Sequence, residues 1–389
     1  MTLCDLSTFY CPKGGGVSTY HRARLEWFSR QHAHRYVLIS PGPRFEKRRV
    51  AASVWTVEVK GPRASRDSDR YRLLLDYATV RDAIQHFAPD VLETHDPWFS
   101  LPMGLIVRHK GPYRGSLTTF CHSDPIRTYV HPRLPRWTRL RAPLDRWERW
   151  ADRQLHRQHA ACSAVFVASS GMRERLKSAG VDRTVTAPFG VHPDLLRIAR
   201  RPRRDPARIL YAGRLDGDKE FGLVLDILPA LLERTDVRVT IAGTGKFARR
   251  VAAIDHARFR YLGHVADRRV LSTIYAANDV LVAPGRFETF GMSALEGAAA
   301  GLLVVGPSEG GTGELLAQCQ SPLTFTPGSP GALLAAIVNA IESDHSGLLE
   351  RGRSLARQHG SWDDAVARHV GIYLSMFGRE SDERAGRTA

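Results

Sequence analysis

Short apolar runs rich in β-branched residues alternate with longer amphipathic stretches along the whole chain. In the first half, 36–40, 54–59, 90–95, 117–122 and 164–168 predict strands, following a likewise extended run at the start. Apolar residues at helical spacing fill 18–30 and 71–86. The second half repeats the alternation, with strands predicted at 208–212, 237–242, 259–262, 279–283 and 302–306 and helices at 222–233, 266–277 and 292–300. Strand–helix–strand alternation argues for an α/β chain with parallel sheets covered on both faces.

The pattern breaks once, in "HPDLLRIARRPRRDPAR" at 192–208, which is rich in proline and arginine and has no periodic apolar face. A linker at 191–207 therefore separates a domain at 1–190 from one at 208–360, in keeping with the usual size of domains for a chain of 389 residues. Residues 361–377 predict a helix with Trp362, Val366, Val370 and Tyr373 on one face, expected to cross back to the N-terminal domain. The polar residues 378–389 are expected to fray. Open parallel sheets bind ligands at the carboxyl ends of their strands, so two such sheets face to face would frame a central cleft.

Charge adds a direction. Fifty-six basic residues against forty acidic ones give a net charge of +16, and all but seven of the basic residues are arginine. Such a surface favours phosphate on nucleotide, lipid or nucleic acid. Nucleic acid is not the expected partner: the charge is spread, and no helix-turn-helix, zinc or RNA-binding signature is present. Cys4, Cys11, Cys121, Cys162 and Cys319 are scattered and odd in number, without disulfide or zinc spacing. They read as reduced, which points to the cytoplasm. The first residues lack the basic and apolar regions of a signal peptide, and no apolar run approaches the roughly 18–20 residues of a spanning helix.

Five stretches could carry chemistry. "PKGGGVSTY" at 12–20 brings Gly15 and Gly16 to the start of a helix, where backbone can approach an anion or simply turn. "YAGRLDGDKEFG" at 211–222 places Arg214 and Lys219 in a loop after a strand, suited to a diphosphate or to a solvated charged loop. Its Asp216-Gly217-Asp218 imitates an acidic metal motif but sits among cations. "IAGTGKF" at 241–247 fails the phosphate-loop pattern, and Gly243 makes a turn that touches nucleotide by backbone or only turns the chain. "TFCHSDP" at 119–125 ends a strand with His122 and Asp124.

The fifth stretch, "RFETFGMSALEGAAAG" at 286–301, sets Glu288 and Glu296 eight positions apart around a helix start. The carboxylates suit a helix dipole on a bland surface. Alternatively, the N–H groups of Thr289, Phe290 and Gly291 face an anion while Glu296 holds a ribose and Glu288 the hydroxyls of a second sugar.

In this order the glycine loop, the strand-ending histidine, G-R-L…K, A-G-x-G and E-x7-E resemble the retaining glycosyltransferases of the GT-B fold, specifically glycosyltransferase family 4. "FYCPKGGGVSTY" and "HSDP" are similar to members that move mannose or related hexoses onto lipids and glycans. The resemblance covers nearly the whole chain and implies two Rossmann-like domains. It implies that Arg214 and Lys219 bind the donor diphosphate, Glu296 the ribose and Glu288 the donor sugar. Thr289, Phe290 and Gly291 offer backbone N–H groups, Gly15, Gly16 and Gly243 lie at the donor, and His122 contacts the donor sugar near its anomeric carbon and outer hydroxyl. Tyr20, Asp124 and Tyr129 fall on the acceptor side. No metal or other cofactor is implied. His192 and Lys246 depart from the family pattern.

The implied reaction is front-face transfer with retention, with a leaving phosphate oxygen taking the acceptor proton. GDP-mannose is the favoured donor, with a UDP-glucose or UDP-galactose donor and a sugar-nucleotide epimerase as alternatives. The segment 127–159 is the most basic and aromatic of the chain, with Leu140, Leu144, Trp147, Ala151 and Leu155 at helical spacing. It would lie on an anionic membrane at its inner face, near a lipid acceptor, or pack as a helix pair with a solvated arginine face.

Overall fold

The computed structural model describes every residue except 12–13, 66–67, 112, 131–140, 200–201, 203, 235 and 388–389. It contains two compact units. The first comprises Met1–Ile126, Arg133–Ala187 and Ala365–Ala389, and the second Arg127–Pro132 and Pro188–Asp364.

The strands of the first unit are β1 (Thr2–Leu6), β2 (Arg35–Gly42), β3 (Glu46–Ala51), β4 (Val54–Lys60), β5 (Arg63–Ser65), β6 (Ser68–Arg72), β7 (Val91–Thr94), β8 (Ser116–Cys121), β9 (Ala164–Val167) and β10 (Thr184–Thr186). Eight of them form one sheet in the order β10-β9-β8-β7-β1-β2-β4-β3, and β5 and β6 form a hairpin. All pairs in the eight-stranded sheet are parallel except β3–β4. Every residue of β7, β8 and β9 is buried, because helices cover both faces. Leu6, Val37, Leu92, Leu117 and Val165 sit in the core on one face, each worth about 1.5–3 kcal/mol of burial.

Four strands of this unit, β3, β5, β6 and β10, escape the sequence pattern. β3 (EKRRVA) is an edge strand with four of its six residues exposed, and its cations discourage further pairing. The helix predicted over 71–86 starts later than expected. Tyr71 and Arg72 end β6, and Asp76 accepts a hydrogen bond from the Thr79 N–H to cap the helix Tyr77–Phe87. The C-terminal helix runs from Trp362 to Arg387. The tail expected to fray continues it, since Glu380, Glu383, Arg384 and Ala385 are all helix formers.

The second unit has β11 (Ala207–Ala212), β12 (Val237–Ala242), β13 (Phe259–Tyr261), β14 (Val280–Val282), β15 (Leu303–Pro307) and β16 (Thr324–Phe325). All are parallel, in the order β13-β12-β11-β14-β15-β16. Within the stretch read as a linker, a short helix Pro193–Leu196 forms, capped by His192, whose Nδ1 accepts from the Asp194 N–H.

Candidate functional site

In each sheet the order of the parallel strands reverses once, and side chains that follow the strands on either side of that reversal share one crevice. In the second sheet the reversal lies between β11 and β14. The loops that leave them carry Arg214 to Glu220 and Arg286 to Gly291, and the structure brings these loops together. Lys219 pairs with Glu288. Arg214 pairs with Asp218 and, at 2.9 Å, with Asp216. The acidic motif that imitates a metal site therefore holds the guanidinium. Tyr211 donates to the Arg214 carbonyl at 2.6 Å and fixes the same loop.

The residue that ties the loops was not legible in the sequence. Glu220 has φ 49°, in the left-handed region. Its Oε1 lies 2.7 Å from Arg286 Nη2, and its Oε2 accepts the Arg286 N–H at 2.9 Å. From the other side, the Gly311 N–H donates to the Glu288 carbonyl at 2.6 Å. A side chain at Gly310 would sit 2.3 Å from the Arg286 carbonyl oxygen. The sequence signal for this brace is the doubled glycine that opens the helix Gly310–Gln318.

Glu296 does not join Lys219. It sits inside the helix Met292–Ala300, where Tyr275 donates to Oε2 at 3.0 Å and Arg268 lies 3.3 Å from Oε1. Both partners went unrecognised in the sequence. The helix starts at Gly291 with φ 85° and no side-chain cap, which leaves its N-terminal dipole for an anion. The Phe290 side chain points away from that role. It is buried against Phe189 and His359, so only its backbone is available to a ligand.

Gly243 has a packing reason of its own. At φ 148°, a Cβ there would lie 1.8 Å from the Gly213 carbonyl oxygen. The turn after it is pinned to the 213–216 loop, with the Lys246 N–H donating to Asp216 Oδ1 at 2.8 Å.

In the first sheet the reversal lies between β1 and β7. Gly15 and Gly16 are exposed at the start of the helix Gly16–Ser29, beyond the end of β1. Asp5 and Glu93 are register partners on β1 and β7. Arg24 Nη1 bridges them at 2.7 Å to each, with all three side chains buried. One cation for two carboxylates leaves them unequal. Burial pushes the Glu93 carboxyl up to about 7, against the pull of Arg24. Burial also opposes ionisation of Asp5, but Arg24 and then His95 outweigh it and hold that carboxyl well below its usual range. His95 Nδ1 lies 3.0 Å from Nε2 of His122, the residue after β8. Burial drives the His95 imidazole down to about 3.

Tyr20, expected on the acceptor side, is fully buried and donates to Glu93 at 3.1 Å. It is part of this cluster, since a buried ring cannot line an acceptor groove. Asp124 is buried against Arg175 Nε at 2.8 Å. Tyr129 lies on the turn Ile126–Val130, with its side chain outside the described residues. Leu140 and the rest of 131–140 are outside them too. Among the described residues, Asp5, His21 and His95 offer three atoms within 4.8 Å of one another that a metal could use. The same Asp5 carboxylate already accepts from Arg24 at 2.7 Å and from Tyr36 at 2.6 Å. A charged residue inside an apolar run, as in "TLCDL" and "VLETH", was the signal for this cluster.

A family model described as "Glycosyltransferase Family 4" matches residues 14–195, and one described as "Glycosyl transferases group 1" matches residues 206–343. The GDP-mannose-dependent alpha-(1-6)-phosphatidylinositol dimannoside mannosyltransferase of Mycobacterium tuberculosis is 30% identical over 312 residues, 77% of this chain and 78% of that protein. A GDP-mannose-dependent alpha-mannosyltransferase of Mycolicibacterium smegmatis is 30% identical over 211 residues, 52% of each chain. Among solved structures, sucrose-phosphate synthase from Thermosynechococcus elongatus matches with a TM-score of 0.76 at 17% identity, covering 97% of this chain and 100% of that one.

Proposed function

The chain belongs to glycosyltransferase family 4 and has the GT-B fold of two Rossmann-like domains, and we propose that it moves mannose from GDP-mannose to a lipid or glycan hydroxyl with retention of configuration. The observation that carries the reading is the meeting of Arg214, Lys219 and Glu288 at the strand-order reversal of the second sheet. Two cations on one loop neutralise the charge that builds on a departing diphosphate, which is the largest electrostatic demand of the reaction. They supply that charge without a metal ion. Asp216, Asp218 and Glu288 hold these cations in place before the phosphates arrive.

Glu296 holds the ribose hydroxyls, with its carboxylate oriented by Tyr275 and Arg268. The acceptor hydroxyl attacks on the face the nucleotide leaves, and a phosphate oxygen takes its proton. Glu288 is engaged by Lys219 and serves to position the sugar; no protein nucleophile is required. The choice of mannose is supported by the likeness to the two GDP-mannose-dependent relatives.

A lipid acceptor is supported by the helix Arg141–Ala160. It turns Arg146, Arg149, Trp150, Arg153 and Arg157 outward, and Leu155 inward. Trp147, expected on the apolar face, is 48% exposed beside Trp150 at 52%. Arginines interleaved with tryptophans suit the headgroup layer of an anionic bilayer. The reading is of an enzyme docked on the cytoplasmic face of a membrane through this helix; among the described residues no helix is long and apolar enough to cross one.

The test is a thermal-shift and turnover screen over sugar nucleotides, with Lys219→Ala beside the unaltered protein. GDP-mannose should stabilise most, and Lys219→Ala should lose turnover at least a hundredfold while staying folded. A UDP sugar that stabilises more strongly overturns the donor. Near-normal turnover of Lys219→Ala overturns the diphosphate site.

A further inference from the structure

We propose that Lys246 is a third cation for the diphosphate of the donor and that Asp216 is the residue that positions it. The inference rests on the reading that Arg214 and Lys219 bind a nucleoside diphosphate. It deepens that site by one binding residue and one positioning residue, all within the second unit.

Charge asks for a further cation. Arg214 and Lys219 face three carboxylates, those of Asp216, Asp218 and Glu288. The pairs Glu220–Arg286 and Glu296–Arg268 each cancel. These groups alone therefore sum to one negative charge. A nucleoside diphosphate sugar brings two more near neutral pH. In the transfer the acceptor oxygen bonds to the anomeric carbon as the bond from that carbon to the phosphate oxygen breaks. The electron pair of the broken bond stays on the phosphate oxygen, as a third negative charge, until the acceptor proton arrives there. The uncapped helix start at Gly291 answers only about half a charge. A site that must hold that much anion gains from a cation with no carboxylate of its own.

Lys246 is such a cation. It is exposed, and among the described residues no carboxylate pairs with it. Its backbone is seated on the loop that carries Arg214. β11 and β12 are parallel neighbours with Ala212 and Ala242 in register, so the two loops leave the sheet together. The Leu215 N–H donates to the Thr244 carbonyl at 3.0 Å, and the Phe247 N–H donates to the Leu215 carbonyl at 3.0 Å. Between them the Lys246 N–H donates to Asp216 Oδ1 at 2.8 Å, while Asp216 Oδ2 lies 2.9 Å from Arg214 Nη1. A single carboxylate thus separates the Lys246 backbone from the Arg214 guanidinium. Gly245 permits this approach, since a Cβ there would lie 2.7 Å from Asp216 Oδ1 and 2.6 Å from the Leu215 carbonyl oxygen. From that point a lysine stem carries a flexible point charge to the anion that Arg214 meets.

Calorimetric titration of the full chain with GDP, and separately with inorganic pyrophosphate, tests the third cation. Lys246→Gln should weaken both probes about tenfold, the worth of one charge-assisted contact, and Lys246→Arg should restore most of that loss. A loss for GDP without one for pyrophosphate means that Lys246 reads the nucleoside, and it overturns the proposal. Unchanged binding of both probes overturns it too.

The role of Asp216 is read from a double-mutant cycle. Asp216→Asn keeps an oxygen for the Lys246 N–H, so Lys246→Gln should still cost about tenfold in that background. Asp216→Ala removes the oxygen, and the same substitution should then cost little. A cost as large with alanine as with asparagine overturns the positioning role. Lys219→Ala separates the inference from the reading beneath it. If Lys219→Ala weakens both probes and Lys246→Gln weakens neither, the diphosphate site stands and the third cation falls. If neither substitution matters, the diphosphate site itself is refuted.

Discussion

Glu220 sets two opposing costs against each other, and a pair of substitutions separates them. Its carboxylate is 8% exposed and holds an Arg286 guanidinium that is 26% exposed. Removing one member of a fully buried pair costs about 3–5 kcal/mol. With a quarter of the Arg286 side chain reaching water, about 2–3 kcal/mol is the expected loss in Glu220→Ala. The backbone runs the other way. At φ 49° an L-residue is strained by about 1 kcal/mol, and glycine is not. Glu220→Gly should therefore be destabilised about 1 kcal/mol less than Glu220→Ala, the reverse of the usual order for alanine and glycine. Hydrogen exchange of the β11 and β14 amides reads this locally: protection should fall in both variants, and about fivefold further in the alanine one. Equal protection, or better protection with alanine, would refute the argument that backbone strain is held here by the ion pair. Both variants should also lose turnover, because Lys219 is the neighbouring residue and its geometry depends on this tie.

Three further outcomes can be checked independently. Tyr275→Phe removes one hydrogen bond from Glu296, so KM for the sugar nucleotide should rise about fivefold to tenfold with kcat little changed; an effect on kcat alone counts against a ribose role. His159 is buried beside Cys121, and burial followed by His156 brings its pKa down to about 4. Between that value and its unfolded value of roughly 6.5 the unfolded chain binds more protons, so stability rises with pH across this window and falls by about 3 kcal/mol on acidification. His159→Gln should remove that part of the pH dependence in urea unfolding, and an unchanged slope would contradict it. Liposomes with anionic headgroups should float the protein at moderate salt, and replacing Arg149 and Arg153 by Glu should leave it at the bottom of the gradient; flotation of the variant sinks the proposed membrane face.

The parallel strands were legible where burial on both faces makes them short continuous apolar runs, as in β9 (AVFV) and β14 (VLV). β3, β5 and β6 were hidden by the same physics, since an edge or hairpin strand need not bury anything. Arg214, Lys219 and Glu288 could be found because loop chemistry at strand ends is local in sequence. Their supports could not. Glu220 reaches Arg286 across 66 residues, and Arg24 reaches Tyr373 across 349. Side chains that meet only after folding leave no periodic trace. Tyr20 shows the opposite error: its neighbours in sequence suggested a binding loop, while its ring is needed to close the core.

The path of the last helix has a consequence for how the chain is made. Tyr373 accepts from Arg24 Nη2 at 2.8 Å and donates to Glu93. The most buried charges of the first unit thus wait for a residue synthesised 280 positions after Glu93. A ribosome-bound chain that already exposes residues 1–187 still lacks the hydroxyl that completes the Glu93 carboxyl's hydrogen bonding. The first unit cannot reach its final packing until residue 373 has left the exit tunnel. Early termination, even a few residues before Tyr373, damages the beginning of the chain more than the middle.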